Sequence, residues 1–197
     1  NGKWSWRRRA IILETNGHRQ AASMNGMPHG TGTIKNNFPG HFCIHFRDCR
    51  THTGRYSLSH QIMVWKAAGI REKMLQLASP EVIAAVAFIA LDEKEYDLAK
   101  SISLVDIGRW HLYLESLKKL SRVRFFSLTL NEKKRDYAVY TVKVGVAYVD
   151  NGYFIKKVFP VQLRHKRGRW LVQSSCFDKL LDATINCGRT GELAEEY

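Results

Sequence analysis

No stretch of about 20 apolar residues occurs in the chain, which excludes an ordinary membrane-spanning helix. The longest nearly continuous apolar run, VIAAVAFIAL at 82–91, is half that length and reads as a buried helix. The four cysteines, Cys43, Cys49, Cys176 and Cys187, have no C-x-x-C pairing and are too sparse for a disulfide scaffold. Cys176 and Cys187 read as buried thiols rather than a bridge. Acidic residues are few, 18 Asp and Glu against 31 Lys and Arg, giving a formal charge of +13. A polyanion is therefore attracted at long range. Long basic runs are also missing: apart from Arg7–Arg9 and the cluster Arg164, His165, Lys166, Arg167 and Arg169, the cations are dispersed. That favours a solvated basic surface over a nucleic-acid groove. An apolar leader is absent and the first residue is Asn, as in a processed or trimmed chain.

What the chain has is an asymmetry. Six of its eight histidines, at 18, 29, 41, 45, 52 and 60, fall in the first sixty residues, and regular amphipathic elements fill the rest. The expected fold class is α+β in two domains. A small β-rich region with a Cys/His site occupies 1–78, and helices packed on a curved antiparallel four-stranded sheet occupy 79–197. In the first region Arg9–Glu14 and His18–Ser23 form a hairpin through Asn16-Gly17. A Gly- and Asn-rich loop at 25–40 leads to HFCIHF at 41–46, whose alternation predicts a strand with His41, Cys43 and His45 on one face. A helix bent near Gly69 begins at about Ser57.

Ser79-Pro80-Glu81 starts a new helix, with Ser79 as cap, Pro80 at the first helical position and Glu81 at the positive dipole end. Helices are expected at 80–99 and 106–119, and strands at 122–130, 137–149, 153–163 and 169–176. The turn Asp150-Asn151-Gly152 is among their connections, and bulges or bends are expected at Gly145 and Pro160.

Cys43 and its neighbours carry the chemistry. A thiol attacks a carbonyl as the thiolate, and a nearby histidine takes its proton. His41 flanks Cys43, and the loop delivers His29. Backbone amides from Gly30 to Gly32 or beside Cys43 are candidates for stabilising an oxyanion. Arg47 and Arg50, in FRDCRTHTGR, are candidates for holding a substrate carboxylate. The rival use of the same residues is a zinc site drawn from His29, His41, Cys43, His45, His52 and His60. Because three ligands alternating on one strand crowd a tetrahedral ion, the preferred form uses two of His41, Cys43 and His45 plus a distant histidine, and it ranks below the thiol. A third reading makes the region a non-catalytic binding or dimerisation module. Trp4 and Trp6 either stack on a ligand ring or dock the N-terminal segment. Cys49 reads as an inert packing residue.

HGTGTIKNNFPGHFCIHF, residues 29–46, resembles the active-site segment of YkuD-type L,D-transpeptidases, in which H-G-T precedes S-H-G-C-I-R. His29, Gly30 and Thr31 fall on the first element, and His41, Cys43 and Ile44 on the second. Phe42 replaces the glycine before the cysteine, His45 the arginine and Gly40 the serine. The resemblance implies Cys43 as nucleophile with His41 and His29 as partners. Gly30, Thr31 and His45 would be substrate-binding, joined by the neighbouring candidates Arg47 and Arg50, and no cofactor would be needed. It further implies a peptidoglycan peptide as substrate and an extracytoplasmic, cell-wall-associated bacterial protein. Helices followed by a curved meander ending in G-x-W-x-V (Gly168, Trp170, Val172) resemble the nuclear-transport-factor-2-like cone, with homodimerisation through that domain as an expected use.

Overall fold

β1 (Arg8–Thr15) and β2 (His18–Asn25) form the expected antiparallel hairpin. Asn16 and Gly17 turn it with φ of 49° and 75°, the left-handed pair that matches strand twist. The computed structural model describes residues 4–32, 34–38, 40–51, 54–149 and 154–182, with the backbone of 189–190. Contacts divide the chain into two compact units, Asn1–Met74 and Leu75–Tyr197. This division lies a few residues ahead of the Ser79-Pro80 helix start.

In the first unit β3 (Ile44–His45) joins the edge of β2, with Ser23 opposite His45 and Met24 opposite Ile44. Helix α1 (Leu58–Ala67) packs on the β1–β2 hairpin, and Ala22 on β2 with Ile62, Met63, Val64 and Trp65 on α1 are buried. After Gly69, at φ 71°, a short α2 (Arg71–Gln76) follows. The predicted strand over 41–46 shrinks to Ile44 and His45, and its faces are not those expected. His45, opposite buried Ser23, is only 8% exposed, whereas Ile44 is 39% exposed. The reason is pairing: His41 bonds back to His29 instead of continuing along β2.

The second unit runs α3 (Pro80–Asp92), α4 (Tyr96–Ser101), β4 (Ser103–Leu104), α5 (Ile107–Leu117), β5 (Leu120–Lys133), β6 (Tyr137–Tyr148), β7 (Phe154–Lys166), β8 (Arg169–Gln173), α6 (Ser175–Leu181) and β9 (Arg189–Thr190). Its sheet has the order β4-β8-β7-β6-β5, with β9 on β7; β4 pairs parallel to β8 and the others pair antiparallel. The chain is thus α+β, with an antiparallel three-stranded sheet and a larger mixed one. The apolar run at 82–91 lies in α3, which packs on β5 and is buried on nearly all sides there, with only Val82 and Ile89 half-buried. No helix among the described residues is long and apolar enough to cross a membrane.

Several local expectations change. The helix foreseen over 80–99 breaks into α3 and α4 at Lys94, whose φ is 60°. Ser79 precedes α3, but its hydroxyl makes no cap bond. Burial pushes the Glu81 carboxyl up, yet donors from Ser79, Tyr140, its own amide and Lys133 outweigh this and hold it at about 2. The last strand stops at Gln173, so Cys176 lies in α6.

Register shifts fall on the β5–β6 pairing, near Leu120, Phe125 and Leu130, rather than at Gly145 or Pro160. Gly145 instead makes room for the Phe154 ring, whose Cε1 would lie 2.0 Å from an added Cβ. At Pro160 the carbonyl accepts from Lys179 Nζ at 3.1 Å, and β8 joins β7 only from Leu163 onward, so the missing amide breaks no ladder. Asp150-Asn151-Gly152 lies outside the described residues.

One buried cation has no sequence signature. Lys157 on β7 is 0% exposed, and its Nζ donates to the carbonyls of Leu180 at 2.6 Å and Asp182 at 2.7 Å, tying the end of α6 to the sheet. Burial lowers its pKa, and Asp182 works against that. Lys157→Met takes the donor from the buried Leu180 carbonyl and the part-buried Asp182 carbonyl, an expected loss of about 3 kcal/mol by the usual value of charged hydrogen bonds. Urea unfolding of the full chain checks this, and an unchanged midpoint would mean water replaces the ammonium.

Candidate active site

A short antiparallel bridge closes the loop between β2 and β3. His29 N–H donates to His41 O at 3.0 Å, and His41 N–H to His29 O at 2.9 Å. Its two arms lie so close that side chains would not fit between them. Gly30, at φ 65°, would bring a Cβ within 2.7 Å of His41 Cε1, and one on Gly32 would stand 2.9 Å from Gly40 O. Asn25 N–H donates to Cys43 O at 3.1 Å, fixing Cys43 beside the end of β2. The Gly-rich composition of this loop thus has a steric cause.

These constraints place His29 Nε2 3.1 Å from Cys43 Sγ. On the other side of the ring, His29 Nδ1 lies 3.1 Å from Met27 O. A carbonyl only accepts, so Nδ1 carries a proton, and in the neutral ring Nε2 presents its lone pair to the thiol. That is a nucleophile, a base and a group orienting the base, in line. The His41 ring lies 4.8 Å from that of His29, centroid to centroid, and is exposed. Cys43 is half-buried, and Gly30, Thr31 and Gly32, which follow His29 in the chain, are exposed.

Aromatic rings wall the site. Trp6 packs 5.4 Å from the His29 ring, and Phe42 lies 5.3 Å from Trp4 and 5.5 Å from Phe38, centroid to centroid. The N-terminal tryptophans therefore dock on the loop, and Phe42 packs within that cluster.

Of the sequence-predicted metal ligands, His29, His41 and Cys43 come together, with their ligand atoms within 4.8 Å of one another. His45 and His60 do not join them. Their rings stack on each other at 3.7 Å, and His60 Nδ1 lies 2.8 Å from Ser23 Oγ. Burial, with Arg8 and His45 nearby, lowers the His60 pKa to about 3, so this ring is neutral. His45, foreseen as substrate-binding, is buried in this stack. His52 and Cys187 lie outside the described residues.

Arg47 pairs with Asp48 at 3.4 Å, and Arg50 donates to Gly54 O at 2.9 Å, both on the surface. Gln61, buried on α1, accepts from Asp48 N and donates to Phe46 O, holding the segment after β3. Cys49 is exposed rather than packed. Cys176 is fully buried, and that burial pushes its thiol pKa up, so it is not a competing nucleophile. The orienting role of the Met27 carbonyl was not foreseen, whereas the packing of Trp6 on the His29 ring is the docked alternative expected for it.

No protein-family model matches the chain, and no curated protein matches it. Among solved structures, a SEC-C motif containing protein from Rhodopseudomonas palustris shares 17% identity, covering 49% of this chain and 76% of that one, with a TM-score of 0.38. That likeness is too slight to bear on the site.

Proposed function

We propose that the first unit carries a cysteine acyl-transfer site, with Cys43 as nucleophile and His29 as its base. The observation that carries this reading is the line from Met27 O through both His29 nitrogens to Cys43 Sγ. Sγ would attack an amide carbonyl while Nε2 takes the thiol proton, and the C–N bond would break as that proton passes to the leaving amine. A second amine, or water, would then cleave the thioester, with His29 accepting its proton and Cys43 regaining a thiol. Amides of Gly30 to Gly32, in the exposed stretch after His29, or those beside Cys43 are the candidates to hold the oxyanion. His41 stands on the open side, suited to touching substrate.

The substrate class follows from the resemblance of residues 29–46 to L,D-transpeptidases: a peptidoglycan peptide, handled outside the cytoplasm, among wall polymers whose charge suits the basic surface. The second unit is read as a nuclear-transport-factor-2-like cone, which its bulged β5–β6 pairing and the packing of α3 support. Its use would be as a pocket or a dimerisation face.

Zinc is the second reading, favoured by the convergence of His29, His41 and Cys43. Ordinary Zn–N and Zn–S bonds at a tetrahedral angle separate the two ligand atoms by about 3.5 Å. The observed 3.1 Å fits a direct hydrogen bond better. Amine exchange on a wall-derived peptide, followed by mass spectrometry, separates the readings. Cys43→Ala should abolish exchange and a chelator should leave it intact. Exchange surviving Cys43→Ala would overturn the thiol mechanism, and loss under chelation restored by zinc would favour the metal.

A further inference from the structure

In the second unit the two hairpin tips lie side by side. Tyr137 faces Arg164 in register, and His165 N–H donates to Asp136 O at 2.8 Å, so the β5–β6 and β7–β8 turns share one end of the sheet. Lys134 and Arg135 stand on the first tip. Arg164, Lys166 and Arg167, with half-buried Arg169, stand on the second. Nearby acids are fewer: Glu132, paired with Lys134 at 2.7 Å, and Asp136. A cleft of about 450 Å³ opens beside Arg164 and Lys166, lined also by Asp136, His165, Gln173, Ser174 and Leu104.

We propose that this end of the second unit binds a linear, base-free polyanion of the phosphodiester class, with one anionic group in the cleft and its neighbours along the two tips. The cations supply attraction, and guanidinium groups suit phosphate oxygens. Gln173 adds a neutral hydrogen-bonding side chain to the lining, whereas the Ser174 side chain already bonds Tyr113. The aromatic rings favour a partner without bases. Arg164 takes one face of the half-buried Tyr137 ring at 4.4 Å, and His165 sits edge-to-face 5.2 Å from the half-buried Trp170, so neither ring is free on both faces for stacking. The surface rests on second-unit residues alone and stands or falls separately from the Cys43 chemistry.

The test is binding of poly(glycerol phosphate) of defined length to the full chain across a salt series. Lys166→Gln with Arg167→Asn is the variant to use, because Asn tolerates the φ of 52° at position 167. Loss of two contacts is expected to weaken binding about tenfold at physiological salt and to flatten the log–log salt slope by about 1.4. Lys118→Gln with Lys119→Gln, an equal charge change before β5, is expected to leave binding within about twofold. Unchanged affinity in the hairpin variant, or an equal loss in the control pair, would overturn the surface. Tighter binding of DNA with the same number of phosphates would overturn the base-free partner.

Discussion

His29→Gln is expected to slow the alkylation of Cys43 by iodoacetamide at neutral pH by about 10²-fold or more, the usual range for losing a positioned base. Glutamine keeps a polar side chain of similar reach but has no nitrogen that accepts a proton, so the pair 3.1 Å apart loses its chemistry rather than its packing. His41→Gln should change the same rate only a few-fold, since the His41 ring lies beside His29 rather than on Cys43 Sγ. Cys49 is exposed and serves as an internal control when alkylation is read by peptide mapping. Equal Cys43 rates in wild type and His29→Gln would show that the histidine does not activate the thiol.

The second large effect is acid sensitivity centred on His60. Its folded pKa of about 3 lies below the model-peptide value of 6.5, so between those values the unfolded chain binds one more proton than the folded one. Stability from this site is complete above pH 6.5 and is lost as pH falls toward 3, by at most about 1.4 kcal/mol per pH unit. His60→Leu keeps an apolar body against His45 while removing the proton uptake, at the cost of the bond to Ser23. Urea unfolding of wild type and variant between pH 7 and 4 should give slopes differing by about one proton. Parallel slopes would mean that His60 titrates normally in the folded chain.

The main elements were legible because each rested on local rules. The Asn16-Gly17 hairpin follows from turn chemistry, the α3 start from Pro80, and the long strands β5 to β7 from their β-branched and aromatic content. Local rules failed where distant partners decide. His45 looked like a site residue by alternation with Cys43, but Ser23 and His60, distant in sequence, draw it into the core. Lys157 reads as a surface lysine until α6 folds back over it. The carbonyl of Met27 carries no side-chain signal at all, yet it sets the tautomer of His29. Within the candidate site, the approach of His29 and His41 to Cys43 was legible, whereas which histidine nitrogen meets Sγ needed three dimensions.

The most direct measurement is an acid quench of the full chain after brief incubation with a wall-derived peptide donor, followed by mass mapping of the cysteines. The expected result is an acyl adduct on Cys43 alone, present in wild type and lost in His29→Gln. Turnover of the donor with no adduct at Cys43, or an adduct that persists undiminished in His29→Gln, would contradict the assignment of Cys43 and His29 as nucleophile and base.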